Sequence, residues 1–581
     1  MTNRILPEQD QSALVVEAGD DWKYPLQLLV VPAIIIIGHL AYMSLSSLVV
    51  NYDCAYYLLC AKMLLQGKQP LIDFVDLLPP IIFYLSVPPV WLSQAFQVPI
   101  ATVWTMTVLG AVLLSFLLSL LVLRSTKETS HQDWLAIGPL MSGFLLFNLI
   151  LGFHFGQREH IFVLMFFPIF LMRWLRWTHP IGLTINNFFA IFCGSACAIA
   201  IFVKPQFLIL PLLLELYFSQ LPRHQKRWQV LKTPECFSLV ITLLLCLVAS
   251  SFIPNIQIYY SRWVPFVSLG YGAFFAPDPL FMLFFAAPDG EILGSTFLAL
   301  MVCIAAYFFS QRSVLLGALF VWTIAGLLIY LLQGRGWSYQ SIPAVCGYFL
   351  LCNVMIVQIA QFLISRIVQL RSGLSRFNPP LWSSDPRQES KRSQIATLVF
   401  LTYAVLLLPI STLLVSDSTA TATTIQILDD MIASRTKARD TVVVLHTLIP
   451  NAHQAQLRLD RQPGCRYIWC FPLRMTEYLK KSNTTKERAL REEPRIVSEI
   501  IQDIQKSKPE LIAIEAFSHD GSDWTLYKSL QQNGILKGSL RDYEPVGGCN
   551  KFAIWKRQAS KRSSSFGIQQ LNKSDPRTIK P

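Results

Sequence analysis

Residues 26–50 read LQLLVVPAIIIIGHLAYMSLSSLVV, and residues 51–84 continue as NYDCAYYLLCAKMLLQGKQPLIDFVDLLPPIIFY. The first stretch has no Asp, Glu, Lys or Arg and exceeds the ~20 apolar residues that a helix needs to cross a bilayer. The second stretch holds three carboxylates among aromatic and aliphatic side chains. The sequence therefore predicts a membrane-spanning helix that leads directly into an acidic loop.

The composition of the whole chain agrees with a membrane protein. Its 581 residues are 53% hydrophobic and only 15% charged, with a mean hydropathy of +0.44, whereas soluble proteins have about 25% charged residues. The net charge of +13 is carried by short basic clusters between apolar runs, which favours cytoplasmic loops over a nucleic-acid surface. These values exclude a soluble enzyme, a disordered scaffold and a small disulfide-stapled domain.

Eleven apolar runs are candidate membrane spans. They lie at about 26–50, 100–123, 134–152, 160–177, 181–203, 205–220, 236–257, 293–311, 313–333, 340–365 and 395–416. Residues 81–98 are also apolar, but four prolines interrupt them, so we interpret them as interfacial or re-entrant. The predicted fold class is an all-α polytopic membrane protein of about eleven helices, followed by a soluble α/β domain.

The basic residues predict the orientation. If residues 1–25 are cytoplasmic and the spans alternate, 17 Lys and Arg fall on the cytoplasmic side and 6 on the other side before residue 417. Basic loops are retained inside, so this split favours a cytoplasmic N-terminus. The five acidic residues in 1–25 argue against a signal peptide. The expected location is a bacterial inner or plasma membrane, with the C-terminal domain extracytoplasmic.

Residues 417–557 have the pattern of that C-terminal domain. The segments 441–446, 466–470, 511–515 and 551–555 are typical of short strands, and 496–507 and 525–533 have helical periodicity. Residues 558–581 are rich in Ser and Lys, which predicts disorder. No glycine-rich nucleotide loop is present in the domain.

The acidic loop at 51–84 contains the first group of candidate site residues. Asn51 is placed to cap a short helix and Gly67 to end it, which puts Asp53 in the first turn. Asp73 and Asp76 follow in a stretch stiffened by prolines. Carboxylates at a membrane boundary are costly and often functional, although Asp53 as a plain helix cap and Asp76 as a plain turn residue remain alternatives.

The loop resembles the first-loop signature of GT-C membrane glycosyltransferases. The resemblance is carried by Asp53, Tyr57, Ala61, Leu64, Gly67, Pro70, Asp73, Phe74, Pro79, Pro80 and Tyr84. It points in particular to bacterial relatives of the dolichyl-phosphate-mannose protein mannosyltransferases and of the lipid A aminoarabinose transferase. It implies a GT-C domain over residues 26–416. It also implies transfer of a sugar from a polyprenyl-phosphate carrier to a lipid, glycan or protein acceptor on the extracytoplasmic face, with inversion.

The resemblance also implies roles for the carboxylates. Asp53 would be the general base, which takes a proton from the acceptor nucleophile, and Asp73 or Asp76 would orient acceptor or donor. Many relatives have a second acidic residue directly after the first, where this chain has Cys54. This departure leaves the use of a metal open. A divalent metal is possible but is not indicated, because the 12 cysteines and the histidines lack metal-ligand spacing, and no other cofactor is predicted.

Cations for a lipid phosphate are expected on the same face. The candidates are Arg158, with Glu159 and His160 beside it, then Lys204, and Arg335 in GRGWSYQ. The strings GQREH, KPQ and GRGWSYQ also resemble patches in bacterial GT-C-like sequences. Trp337 and Tyr339 are expected to line the isoprenoid path or to stack on a sugar. A snorkelling lysine, an Arg158–Glu159 ion pair and an interfacial aromatic belt are the plainer alternatives.

The leading hypothesis is thus a polyprenyl-phosphate-dependent glycosyltransferase. A transporter or flippase of lipid-linked saccharides would use the same cations and aromatic side chains, but transporters usually have repeated halves, and the sequence has no internal repeat. A GT-C-shaped assembly subunit without catalysis remains a third hypothesis because of Cys54.

Overall fold

The computed structural model describes residues 50–76, 80–125, 131–178, 185–221, 230–271, 313–371, 427–447, 451–517, 524–534, 538–549 and 551–558, with single positions 34, 37 and 38. The chain divides into two compact units, residues 1–426 with 450–458 and residues 427–449 with 459–581. The predicted spans at 293–311 and 395–416, nearly all of 26–50, and the tail after 558 lie outside the described residues.

The described part of the first unit is helical. Its helices are α1 (Tyr52–Leu65), α2 (Ile81–Leu85), α3 (Val87–Phe96), α4 (Ile100–Arg124), α5 (His131–Ile150), α6 (Arg158–Thr178), α7 (Asn187–Val203), α8 (Ile209–Ser219), α9 (Pro234–Ser251), α10 (Ile256–Ile258), α11 (Val264–Gly270), α12 (Val314–Gln333), α13 (Ile342–Arg371) and α14 (Asn451–Arg458). Short 3₁₀ turns at Gly152–His154, Pro205–Leu208 and Ser338–Ser341 and a π-helical turn at Tyr259–Trp263 join some of them.

Five segments are long and apolar enough to cross a membrane. They are Ile100–Arg124, Arg158–Thr178, Pro234–Ser251, Val314–Gln333 and Ser338–Ile356. Each coincides with a predicted span, and shorter apolar helices occupy three more of the predicted positions. The chain is a multi-pass integral membrane protein, while the full count of eleven spans stays a prediction. Within residues 81–98, Ile81–Leu85 and Val87–Phe96 form two short helices that meet at Ser86, while the interfacial or re-entrant placement of this stretch stays a prediction.

Small residues let α12 and α13 approach closely. A Cβ on Gly326 would lie 2.4 Å from the backbone nitrogen of Ala344, so the helix backbones touch there, as is common between membrane helices. Trp322 of α12 packs its ring against Phe166 and Phe170 of α6, with centroids 5.0 and 4.9 Å apart. The close packing of α6, α12 and α13 fixes the ends of these helices, which bear several candidate site residues.

A partly buried charge cluster anchors the far end of α6. Arg173 makes two hydrogen bonds to Glu215 at 2.5 and 2.9 Å, and Arg176 makes two to Glu235 at 2.6 and 3.1 Å. Buried charges are stable only when they are paired in this way. Since Arg173 lies fifteen residues after Arg158, the cluster is ~22 Å from the start of α6.

The described part of the second unit is an α/β domain, as predicted. Five strands, β1 (Thr441–Leu445), β2 (Gln462–Pro463), β3 (Leu511–Glu515), β4 (Tyr543–Cys549) and β5 (Phe552–Arg557), form a sheet in the order β2-β1-β3-β5-β4. β1 is parallel to β2 and β3, whereas β5 is antiparallel to β3 and β4. The helices of this unit are α15 (Phe471–Leu479), α16 (Asn483–Ser507) and α17 (Leu526–Gln532).

The strand predicted at residues 466–470 does not form. The backbone N–H of Arg466 donates to a carboxylate oxygen of Asp503 at 2.8 Å, and its guanidinium binds the same carboxylate at 2.9 Å. The N–H of Cys470 donates to the carbonyl of His446 at 2.8 Å. These local bonds hold the segment as a loop that leads into α15, so its apolar pattern reflects burial of a loop.

Candidate active site

The start of α1 is held by the side chain of its N-cap residue. The Asn51 side-chain oxygen accepts the backbone N–H of Asp53 at 3.0 Å, which satisfies a donor at the helix N-terminus. The Asn51 side-chain nitrogen donates to the carbonyl of Phe153 at 3.2 Å. The capping role predicted for Asn51 is therefore confirmed, and Asp53 occupies the first turn with its side chain half-buried.

Gln157 was not among the predicted site residues, yet it contacts Asp53 directly. Its Nε2 donates to the side-chain oxygen of Asn51 at 2.5 Å and to Oδ2 of Asp53 at 3.3 Å. The side chain is fully buried, and its Oε1 has no hydrogen-bond partner among the described residues. Gln157 thus connects the cap of α1 to the Asp53 carboxylate and leaves one buried acceptor atom beside it.

The surroundings of Asp53 favour a basic carboxylate. Burial raises its pKa above the ordinary value, since the charged form loses hydration. Arg158 opposes that rise, the nearby Glu159 adds to it, and the hydrogen bond from Gln157 and the charge of Lys204 lower the pKa again. Asp53 therefore lies within electrostatic reach of all three charged residues.

Arg158 begins α6 and faces α1. Its guanidinium carbon lies 5.3 Å from the ring centroid of Tyr57, within the range of a cation–π contact. Its Nε is buried without a hydrogen-bond partner among the described residues. Because a guanidinium carries five N–H donors, Arg158 retains donor capacity beside Asp53.

Lys204, at the junction of α7 and the Pro205–Leu208 turn, is buried beside the start of α6. Its ammonium donates to carboxylate Oε1 of Glu159 and to side-chain Oε1 of Gln333. It also lies 5.7 Å from the ring centroid of Tyr339. Burial lowers the pKa of Lys204 to about 8, an effect that Glu159 opposes and Arg158 reinforces. An ammonium has three donors, and two are used in these contacts.

His160, also predicted near the phosphate, has both ring nitrogens engaged. Nδ1 accepts the backbone N–H of Gly156 at 3.0 Å, which requires that Nε2 carry the proton in the neutral ring. Nε2 lies 2.7 Å from the side-chain oxygen of Asn148. In this arrangement His160 shapes the turn before α6 by joining it to α5.

Arg335 and the aromatic pair after it come from the connection between α12 and α13. The guanidinium carbon of Arg335 lies 4.1 Å from the ring centroid of Tyr271. Burial raises the pKa of Tyr271, and the charges of Arg335 and Arg158 oppose the rise, so both arginines are near this phenol. Trp337 stacks on Tyr339 with ring centroids 5.8 Å apart. Because Tyr339 lies beside the ammonium of Lys204, the aromatic pair lies next to Lys204.

The other two carboxylates of the acidic loop have different surroundings. Asp73 accepts the backbone N–H of Gln69 at 2.8 Å with Oδ2, a contact that closes its own turn. Asp76 is only 3% exposed. Burial raises the pKa of Tyr56, and the charge of Asp76 adds to that rise, which puts Asp76 near the middle of α1.

Cys54, the residue directly after Asp53, does not offer an oxygen ligand. Its thiol is buried and donates to the carbonyl of Gly156 at 3.3 Å. Within the part of the chain that the structure describes, no group of three His, Cys, Asp or Glu side chains is placed to hold a metal ion. The chemistry proposed below uses side chains alone.

Comparison with solved structures finds a similar fold in ArnT from Cupriavidus metallidurans, a structure bound to undecaprenyl phosphate. The match has a TM-score of 0.53 and 13% identity, and it covers 92% of this chain and 98% of that chain. The archaeal oligosaccharyltransferase AglB from Archaeoglobus fulgidus, in complex with an inhibitory peptide and a dolichol-phosphate, gives a TM-score of 0.44 at 12% identity, covering 92% and 74%. No family model and no curated protein sequence matches the chain.

The likeness to ArnT extends over nearly the full length of both chains. It confirms the GT-C-like fold that the acidic loop implied. The chain is therefore a polytopic membrane protein with a GT-C-like fold.

Proposed function

We propose that the protein is an integral-membrane glycosyltransferase that takes a sugar from a polyprenyl-phosphate carrier. The observation that carries this proposal is the gathering of four charged residues, separated by up to 151 positions, at one end of α1, α6 and α7. They are Asp53, Arg158, Glu159 and Lys204. A half-buried base next to two cations suits a reaction that takes a proton from a nucleophile and releases a phosphate. The acceptor is a lipid, glycan or protein on the extracytoplasmic face.

Asp53 acts as the general base in this proposal. The acceptor's hydroxyl or amine gives its proton to the Asp53 carboxylate while its oxygen or nitrogen bonds to the anomeric carbon. The bond between that carbon and the phosphate oxygen breaks, and the electron pair remains on the phosphate as the lipid leaves. Because burial raises the pKa of Asp53, the carboxylate is a better base than an exposed one.

Lys204 and Arg158 stabilise the leaving phosphate in this proposal. Preorganised donors aimed at developing charge are strong contributors in sites that exclude water. Among the described residues, the third N–H of Lys204 and the Nε of Arg158 have no hydrogen-bond acceptor, so they are the donors proposed for the phosphate. The stacked Trp337 and Tyr339 provide an apolar wall beside Lys204 for the first isoprene unit or the sugar.

The test of this function is turnover of a defined donor. We expect the purified protein to release undecaprenyl phosphate from at least one of a panel of undecaprenyl-phosphate pentoses and hexoses, when cell-envelope lipids and glycans are supplied as acceptors. Release is measured by chromatography of the lipid products. Folded protein that consumes no member of the panel would contradict the proposal.

Replacement of Gln157 tests the basicity of Asp53. The Gln157 amide donates to the ionised carboxylate and so lowers its pKa, which means that Gln157→Leu should raise the pKa further. A base is active when deprotonated, and activity rises as the pH passes its pKa. We therefore expect the acidic limb of the profile of kcat/KM against pH to move to higher pH in Gln157→Leu.

The matched control is Gln220→Leu, the same change at an exposed glutamine after α8, which should leave the limb in place. An acidic limb that stays unchanged in Gln157→Leu would mean that the group which titrates is not Asp53.

A further inference from the structure

Helix α14 lies about 400 positions after α1 in the sequence, yet it belongs to the first unit. Its middle is buried, with Ala455 fully covered and His453 and Gln454 only 6% and 2% exposed, whereas Arg458 at its end is exposed. A helix of eight residues that buries the side chains of His453 and Gln454 packs them against a neighbour. That neighbour is the acidic loop.

Gln454 binds the backbone at the entrance to α1. Its side-chain Nε2 donates to the carbonyl oxygen of Val50, and Val50 immediately precedes the N-cap Asn51. Asn51 in turn accepts the backbone N–H of Asp53 at 3.0 Å. One hydrogen bond from α14 therefore fixes the backbone from which the cap and the candidate base project.

His453 binds the other side of the same loop. Its ring meets Tyr56 edge-on, with centroids 4.8 Å apart. The hydroxyl of Tyr56 donates to the carbonyl of Val75 at 3.3 Å, and the following residue is the buried Asp76. Tyr56 therefore links His453 to the second acidic segment of the loop, which contains Asp76.

We propose that α14 is a positioning element that holds both acidic segments of the 51–84 loop. Gln454 and His453 are positioning residues, since they touch the backbone of Val50 and the ring of Tyr56 and not the reacting groups. The catalytic meaning of this role rests on the proposed function, because it assumes that the placement of Asp53 determines the rate. Misplacement of a reacting group by ~1 Å can cost about 10²-fold in rate.

The test compares Gln454→Met and His453→Leu with His453→Phe and with Arg458→Ala, all in the full-length protein. Gln454→Met keeps the length of the side chain but cannot donate to Val50, and His453→Phe keeps the ring that meets Tyr56. Two quantities are measured: amide hydrogen exchange across residues 50–65, and kcat and KM with the undecaprenyl-phosphate sugar that is turned over.

We expect exchange in residues 50–65 to become faster by roughly tenfold in Gln454→Met and His453→Leu, as a buried contact is lost. We expect kcat to fall by a similar factor, while affinity for undecaprenyl phosphate and exchange in α12 stay unchanged. His453→Phe and Arg458→Ala should match the parent in all of these measurements, which a general loss of folding would not produce.

Two results would overturn the proposal. One is parental exchange in residues 50–65 for both Gln454→Met and His453→Leu, which would mean that α14 does not hold the loop. The other is faster exchange in Gln454→Met and His453→Leu with an unchanged kcat, when Asp53→Asn is inactive. That result would mean that the hold of α14 on the loop does not affect the rate. If Asp53→Asn retains activity, the assignment of the base is wrong, and the exchange measurement still decides whether α14 anchors the loop.

Discussion

Asp53→Asn is expected to lower kcat by about 10²–10⁴-fold, the usual contribution of a positioned general base. The amide has the size of the carboxyl group and can still accept from Gln157, but it cannot take a proton from the acceptor. The backbone N–H that Asn51 caps is unaffected, so α1 should keep its start. The measurement is the rate at which undecaprenyl phosphate is released from the donor sugar.

The specificity of that loss is checked in two ways. Asp430→Asn makes the same change at an exposed carboxyl group in the second unit and should leave kcat at the parental value. Affinity for undecaprenyl phosphate should stay within about twofold in Asp53→Asn, since a base that acts in the transition state changes kcat more than ground-state binding. A parental rate in Asp53→Asn with intact expression would remove Asp53 as the base.

The parts of the fold that the sequence predicted are those fixed by local physics. The cap at Asn51 is confirmed because a side-chain oxygen one position before a helix satisfies a donor of its own first turn. Gly67 follows α1 with a φ of +78°, a conformation that glycine adopts without strain. Five membrane-spanning helices are predicted correctly from the length of their apolar runs. The thickness of the bilayer sets a minimum length for such a run, whatever the tertiary contacts are.

The parts that the sequence did not predict depend on which helix ends meet. Gln157 and Gln333 are neutral amides next to apolar runs, and nothing in their own neighbourhood marks them. Their importance arises only when the start of α6 meets the start of α1 and the end of α7 meets the end of α12. An ion pair between Glu159 and its neighbour Arg158 was one alternative that the sequence left open. In the structure the buried carboxylate of Glu159 binds Lys204, 45 positions away.

Helix α14 illustrates the same limit on a larger scale. Its sequence, NAHQAQLR, lies within residues 417–557, which the sequence pattern assigned to the C-terminal domain. It belongs to the first unit, where His453 contacts Tyr56 and Gln454 contacts Val50. The sequence of the helix itself gives no sign of these contacts. Composition and periodicity describe each element alone, whereas the pairing of distant elements decides which polar side chains gather around Asp53.

Lys204→Met is expected to weaken binding of undecaprenyl phosphate by roughly 10- to 100-fold, the effect of losing one charge-assisted hydrogen bond of about 1.5–3 kcal/mol. The third ammonium N–H is the donor that Glu159 and Gln333 leave for a phosphate. The same change leaves the fully buried Glu159 without its cation, which destabilises a protein by about 3–5 kcal/mol. Affinity and unfolding temperature in detergent should therefore both fall.

The double variant Lys204→Met, Glu159→Gln separates these two effects. It removes the unpaired buried carboxylate, so the unfolding temperature should recover towards the parental value while affinity for undecaprenyl phosphate stays low. Lys232→Met, the same change at an exposed lysine before α9, should alter neither. If the double variant instead binds undecaprenyl phosphate like the parent, Lys204 serves only to neutralise Glu159, and the phosphate must be held by Arg158 or Arg335.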